Sequence, residues 1–393
     1  MTVIRRLLTG NEGAPGEART TFADVWGRNS SDYGSNNSSG TNINADTAMQ
    51  ITAVFACVRI LSDNVSTLPL DTFVSSGETR QPFPAPQWMS FALGGLGKID
   101  IISQMVVSIL LNGDAFVAIR RDGQFRVISL EVLNPADVTV HRVNGDTVYR
   151  INGGGSDLTR LDIMHVPGMM MPGALTGMSP VEYARESLGL SAAATQYGAA
   201  FFGGGALPGM TVEVPGEMSN VGIKALKRAW NDVHQGAGNS HKLAVLTEGA
   251  KFTKVSVNPD DAQFLQTRQF QVPDVARIYG VPPHLIGDAT GSTSWGSGLA
   301  EQNSSFVQHT LRPLVERIES GFNWLLHSEG LPADAFVKLT LDGMLRGSNK
   351  DRLESYVAGI EAGFYTIDEV RAWENLPPLP MSTKPQKVVN NEA

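Results

Sequence analysis

Few side chains in this sequence stand at the spacings that catalysis or metal binding needs. Gly94-Gly95-Leu96-Gly97-Lys98 comes nearest to a phosphate-binding loop. It fails because Ala92 holds the place of the first glycine and Ile99 that of the magnesium-binding hydroxyl. No G-x-S-x-G nucleophile elbow is present; Gly291-Ser292-Thr293-Ser294-Trp295-Gly296 has the wrong order. The seven histidines (141, 165, 234, 241, 284, 309 and 327) form neither an HExxH pair nor a Cys/His cluster. Asp260-Asp261 is a carboxylate pair, but neighbours on a helix point about 100° apart, and a helix N-terminus favours negative charge without catalysis. Cys57, the only cysteine, sits in the apolar run 53–58, where a small buried residue is the simpler reading than a nucleophile. These patterns point away from an enzyme and predict neither cofactor nor metal.

Two sets of residues remain as candidates for contact with other molecules. Lys224, Lys227 and Arg228 share one helix face by their spacing, which suits either a solvated surface or an acidic partner. The uncharged segment 289–298 contains Thr290, Ser292, Thr293, Ser294 and Trp295. It reads either as a linker or as a presented loop whose indole ring can stack.

The elements around that segment are the most strongly marked in the chain. Asn258 can cap a helix, Pro259 suits its first position, and Gly280 followed by Pro282-Pro283 stops it. A second long helix, 299–328, has Leu299, Phe306, Thr310, Leu314, Ile318, Phe322 and Leu325 in line. Pro313 is expected to kink it, and Pro273 to kink or break the first, because proline removes a backbone donor and clashes with the preceding turn. A helix with period 3.6 spans 48–68 and another 99–111. From Ala115 the period changes to two, giving strands at 116–119, 125–128, 138–140 and 147–149, with Asp122-Gly123 and Asn144-Gly145 as hairpin turns. Residues 180–203 form an Ala-rich helix and 219–233 an amphipathic one, with strands at 210–214, 242–246, 252–257 and 336–341 and small helices at 350–362 and 366–375. The fold class is α+β.

Composition bounds the rest. The 393 residues suffice for two or three domains, and 42% hydrophobic content suffices for a core. The formal charge of −8 is opposite to that of a protein that grips DNA by counterion release. No secretory leader is expected, since Arg5-Arg6 is followed by Gly10-Asn11-Glu12 instead of an apolar core. The uncharged run 188–212 is too glycine-rich to span a bilayer, and no membrane partner is expected. Residues 1–45 read as a flexible arm and 381–393 as a disordered tail.

Six segments together resemble the tailed-phage portal proteins of the HK97 type. They are Ala53–Leu70, Leu110–Gly123, Leu133–Val140, Asp162–Gly168, Gly177–Gly216 and the stretch Asn258–Gly287 with its DAQFLQTRQFQVPDVARIYGVPPHLIG. They lie in the family's order across roughly 48–380. The resemblance implies a homo-oligomeric ring, a dodecamer in most relatives, at one capsid vertex. Double-stranded DNA is packaged through it by a separate terminase and later ejected, and head-tail adaptors dock on it. By matching segments, the wing is 46–178 and 299–345, the stem helices are 179–205 and 259–280, the clip is a small α/β unit at 206–258, the tunnel loop is 281–298, and a short helical crown is 346–380. The tunnel-loop residues are then Thr290, Ser292, Thr293, Ser294 and Trp295. The stem carries Arg268 and Arg277, and the clip contacts to the terminase large subunit or adaptor are Lys224, Lys227, Arg228 and His234. The major capsid protein is the remaining partner. A ring-forming capsid or adaptor protein without a translocation role is the alternative, and the resemblance is the same for an infectious phage and for a phage-like gene-transfer particle.

Overall fold

A computed structural model describes residues 37–77, 79–89, 95–152, 154, 156–203, 210–213, 219–225, 228, 251–254, 260–288, 297–341, 349–374 and 376–379. It mixes helix and strand, as the α+β reading requires. The described helices are α1 (Ala45–Ala48), α2 (Thr52–Ser66), α3 (Lys98–Asn112), α4 (Pro180–Tyr183), α5 (Arg185–Gly203), α6 (Asp260–Tyr279), α7 (Ser297–Phe306), α8 (Arg312–Ser328), α9 (Asn349–Glu361) and α10 (Ile367–Trp373). The strands are β1 (Leu70–Ser76), β2 (Thr79–Pro82), β3 (Asp114–Arg121), β4 (Val127–Leu133), β5 (Val138–Val143), β6 (Asp146–Ile151), β7 (Ile163–Pro167), β8 (Met210–Glu213), β9 (Lys251–Lys254) and β10 (Ala335–Leu339). They form antiparallel sheets in the orders β10-β1-β2 and β4-β3-β7, the hairpin β5-β6, and the two-stranded sheet β8-β9.

One apolar core joins α2, α3 and α8 to both three-stranded sheets. Helix α2 buries Val54, Cys57, Val58, Leu61 and Val65, the residues its period marks. Helix α3 starts at Gly97, whose N–H donates to Asp100 Oδ2 at 2.9 Å. Helix α8 turns Leu314, Ile318, Phe322 and Leu325 inward. The outer edge of β10 is covered by α8: Leu339 N donates to Glu319 Oε1 at 2.7 Å and Val337 N to Asn323 Oδ1 at 2.6 Å. These bonds satisfy an edge that would otherwise invite another strand. A smaller cluster of Phe116, Tyr149 and Ile163 holds the β5-β6 hairpin.

Several expectations are corrected. Of the kink or break expected at Pro273, the break does not occur: helix α6 runs from Asp260 to Tyr279. The lost bond costs roughly 3 kcal/mol, and the burial of Val275, Ala276 and Tyr279 beyond the proline offsets it. Pro313 does disturb its helix: Val307–Leu311 widens into a π-helical turn just before the proline, which stands in the first turn of α8. The Ala-rich helix is interrupted at Ala184, and 48–68 at residues 49–51. Residues 37–44 at the end of the expected arm are docked on α5. Asn37 is buried, its Nδ2 donates to Arg185 O at 3.3 Å, and Ser38 N donates to Glu186 Oε2 at 3.1 Å. The Asp122-Gly123 turn is a longer loop, with Phe125 instead of the glycine at positive φ. The strand expected at 242–246 and the tail 381–393 lie outside the described residues.

Candidate functional site

The two long helices α6 and α7–α8 converge where the segment 281–298 begins. Helix α6 ends with Val281 N donating to Ala276 O at 2.9 Å, and Gly280 adopts φ 65° to allow it. A Cβ at Gly280 would lie 2.8 Å from Thr310 Oγ1. That hydroxyl donates to Gly280 O at 2.7 Å, so the π-helical turn is fastened to the end of α6. The chain then makes a 3-10 turn, Pro283–Ile286, stopped by Gly287 at φ 84°. His284 Nε2 lies 3.0 Å from Asn303 Oδ1 on α7. The first end of the loop is therefore tied to α7 and to the π-helical turn.

Beneath this junction the groups are chemically quiet. Cys57 is buried and its thiol is pushed up to about 12 by desolvation. Burial also pushes the buried Tyr279 hydroxyl up. A thiol held protonated at neutral pH is no nucleophile. Among the described residues no three His, Cys, Asp or Glu side chains gather at a metal-binding distance. No helix among them is long and apolar enough to cross a membrane.

A second junction positions the start of the Ala-rich helix. Ser179 accepts from Glu182 N at 3.1 Å, capping α4, and donates to Leu111 O at 2.7 Å, so α4 is fixed to the end of α3. Gly168 N donates to Gly113 O at 2.7 Å, and a Cβ on Gly177 would lie 2.1 Å from that same oxygen. Beside these three glycines Asp114 Oδ1 accepts from Gly177 N at 2.7 Å and sits 2.8 Å from His165 Nε2, both side chains buried. Phe116 stacks on the imidazole at 4.5 Å between centroids.

Of the residues singled out in the sequence, Lys224 and Arg228 are exposed on a helical stretch. Arg277 is exposed and ion-paired with Asp274 one turn before it, so its charge is largely answered locally. Arg268 lies in α6. Lys227, His234, Thr290, Ser292, Thr293, Ser294 and Trp295 lie outside the described residues. Sequence reading missed Thr310, which it placed in an apolar line, and the Asp114–His165 pair. Asp114 directly after Gly113 at the end of α3 was the one available signal.

The model of the phage portal protein family matches residues 52–375. A probable portal protein of Streptomyces phage phiC31 is 50% identical over 357 residues, covering 87% of this chain and 78% of its own length. The portal protein of Enterobacteria phage HK97 is 32% identical over 356 residues, 86% of this chain and 82% of its own. Among solved structures, a chain in the neck of a native gene transfer agent particle computed with C12 symmetry matches with a TM-score of 0.59 at 23% identity, over 85% of this chain and 94% of that one. On the family match and these relatives, the chain belongs to the phage portal protein family.

Proposed function

We propose that this chain is the subunit of a closed ring of about twelve copies at one capsid vertex, the channel through which double-stranded DNA enters under a separate terminase and later leaves. The observation that carries the reading is the loop between α6 and α7, its first end fastened to α7 and to the π-helical turn, in a chain of the portal family. A loop held so can reach into a bore while its base stays rigid. The C12 symmetry of the similar neck particle supports the copy number. The charge supports passage over grip: −8 per chain amounts to roughly −96 for twelve, a field that repels phosphates except where local basic residues are placed.

In this reading 281–298 is the tunnel loop, with Thr290, Ser292, Thr293, Ser294 and Trp295 facing the DNA. Segments 179–205 and 259–280 form the stem, 46–178 and 299–345 the wing that meets the major capsid protein, and 346–380 the crown. Lys224, Lys227, Arg228 and His234 in 206–258 meet the terminase large subunit or the adaptor.

Electron microscopy and mass photometry of the purified protein with its capsid and scaffold proteins test the ring. Closed rings with a bore wide enough for duplex DNA are expected. Persistent monomers or dimers in that mixture would overturn the reading, and rings that assemble into particles without admitting DNA would make this an adaptor.

A further inference from the structure

A cleft of about 610 Å3 opens between β7 and α8. Its floor is apolar, with Met164, Val166 and Trp324 in the lining. Two arginines stand over it. The Arg160 guanidinium lies 5.6 Å from the centroid of the Trp324 ring. Arg317 donates to the carbonyl of Gly168 at 2.6 Å, a neutral acceptor that leaves its charge unanswered. Neither arginine has a carboxylate partner among the described residues, and Glu316 beside them is paired with Arg312 at 2.9 Å. An apolar floor, an indole and two unanswered guanidinium groups suit a peptide that brings a carboxylate between aromatic side chains.

The chain contains such a peptide. Residues 1–36 precede the docked segment, and within them Phe22-Ala23-Asp24-Val25-Trp26 sets one carboxylate between two aromatic rings. The exit point of this segment is fixed near the cleft. Asn37 is held against α5 so closely that a Cβ on Gly189 would lie 1.5 Å from its Nδ2. From Arg185, which accepts from Asn37, back to Ser179 is a rise of about 9 Å. Ser179 bonds Leu111, Gly113 accepts from Gly168, and Gly168 accepts from Arg317 in the cleft. Residues 27–36 can span at most about 35 Å when extended, enough to cover that path.

We propose that the cleft lined by Arg160, Arg317 and Trp324 is the docking site for the N-terminal segment around Asp24, with Phe22 and Trp26 on the apolar floor and the Asp24 carboxylate between the two guanidinium groups. Docking fastens the N-terminal segment across the joint between β7 and α4–α5, and it does not depend on the chain forming a ring.

The test uses the full chain. Cys57 is buried, so cysteines introduced by Asp24→Cys and Ser320→Cys, the latter an exposed cleft residue, are the pair that oxidation can join. A 24–320 disulfide is expected in at least fivefold excess over the control pair Asn11→Cys and Ser320→Cys, and gel mobility tells whether it closes within one chain or between two. Hydrogen exchange without the introduced cysteines gives a second reading. Residues 20–28 should exchange about tenfold faster in Arg160→Glu, and the added change Asp24→Arg should restore their protection. No excess over the control, a Ser320→Cys link to a different segment of a neighbouring copy, or exchange at 20–28 that is already unprotected in the unaltered chain would each overturn the proposal.

Discussion

Thr310 and Gly280 hold the base of the loop through one hydrogen bond and one close approach: the hydroxyl donates to the carbonyl at 2.7 Å, and no Cβ fits between them. Gly280→Ala must adopt φ 65° with a side chain and push the hydroxyl away. Strain and the lost bond together cost about 2 kcal/mol. Thr310→Val keeps the shape and costs about 1 kcal/mol. Urea unfolding of the two single variants and the double should show less than additive loss, because both remove the same bond. Full additivity would mean the two residues act separately.

The joint of Gly113, Gly168 and Gly177 leaves no room for a side chain. Gly177→Ala places a Cβ 2.1 Å from Gly113 O and 2.9 Å from Gly168 N, both backbone atoms. A loss of roughly 3 kcal/mol or more is expected. Gly173→Ala in the same loop is the control. Its φ is 81° but nothing lies within 4 Å, so only the strain of about 1 kcal/mol applies. Equal melting temperatures for the two variants would refute the close-packed joint.

Asp114 serves two donors through one oxygen, Gly177 N and His165 Nε2. Asp114→Asn retains an acceptor there and should cost about 1 kcal/mol. Asp114→Ala strands the half-buried Gly177 N–H and a buried imidazole and should cost about 3 kcal/mol. Chemical denaturation separates the two. If Asn is as damaging as Ala, the carboxylate charge, and not the acceptor, is what the site needs.

Most helices and turns with a local cause were legible, the loop at Asp122 being an exception. Asn144-Gly145 turns with both residues at positive φ, 52° and 97°, as a tight hairpin requires. Thr366 and Glu369 cap α10 reciprocally over three residues. Proline was only half legible. Pro313 and Pro273 carry the same steric signal, yet one is accompanied by a π-helical turn and the other lies inside an unbroken helix, because the packing around each decides what gives way. The pairs that fasten the site, Gly280 with Thr310 and Asp114 with His165, stand 30 and 51 residues apart. Neither partner has a neighbour in sequence that predicts the other. The dock of Asn37 on Gly189 escaped for the same reason: a polar run reads as an arm until the backbone it lies against is known.

Stability should fall on the alkaline side through Cys57 and Tyr279. The Cys57 thiol has an ordinary value of 9.0 and is pushed up to about 12 in the fold; Tyr279 is pushed up as well, from 10.0. A raised value means the folded chain holds its proton where the unfolded chain has lost it. The contribution is whole below pH 9 and is lost as pH rises toward 12. The urea midpoint should therefore drop between those limits. Tyr279→Phe should reduce the drop, and it should not weaken the protein at neutral pH, since the buried hydroxyl has no hydrogen-bond partner among the described residues. A midpoint flat from pH 9 to 11 would contradict the burial of both groups.

Phe125 is 81% exposed and sits at φ 65°, a region a bulky side chain seldom adopts. Its loop imposes this: Asp122 Oδ1 accepts from Gln124 N at 2.8 Å and Arg126 N at 2.9 Å, and Arg121 Nη1 donates to Phe125 O at 3.0 Å. Those donors also hold the Asp122 carboxyl below its ordinary range. Phe125→Gly removes the strain and leaves every one of these bonds in place, so the isolated chain should gain about 1 kcal/mol. Thermal unfolding of the purified protein measures it. The same variant should then be assayed for incorporation into particles. Wild-type incorporation would mark the ring as a tolerated oddity, whereas a more stable chain that incorporates poorly would show that the strained loop presents Phe125 to a partner.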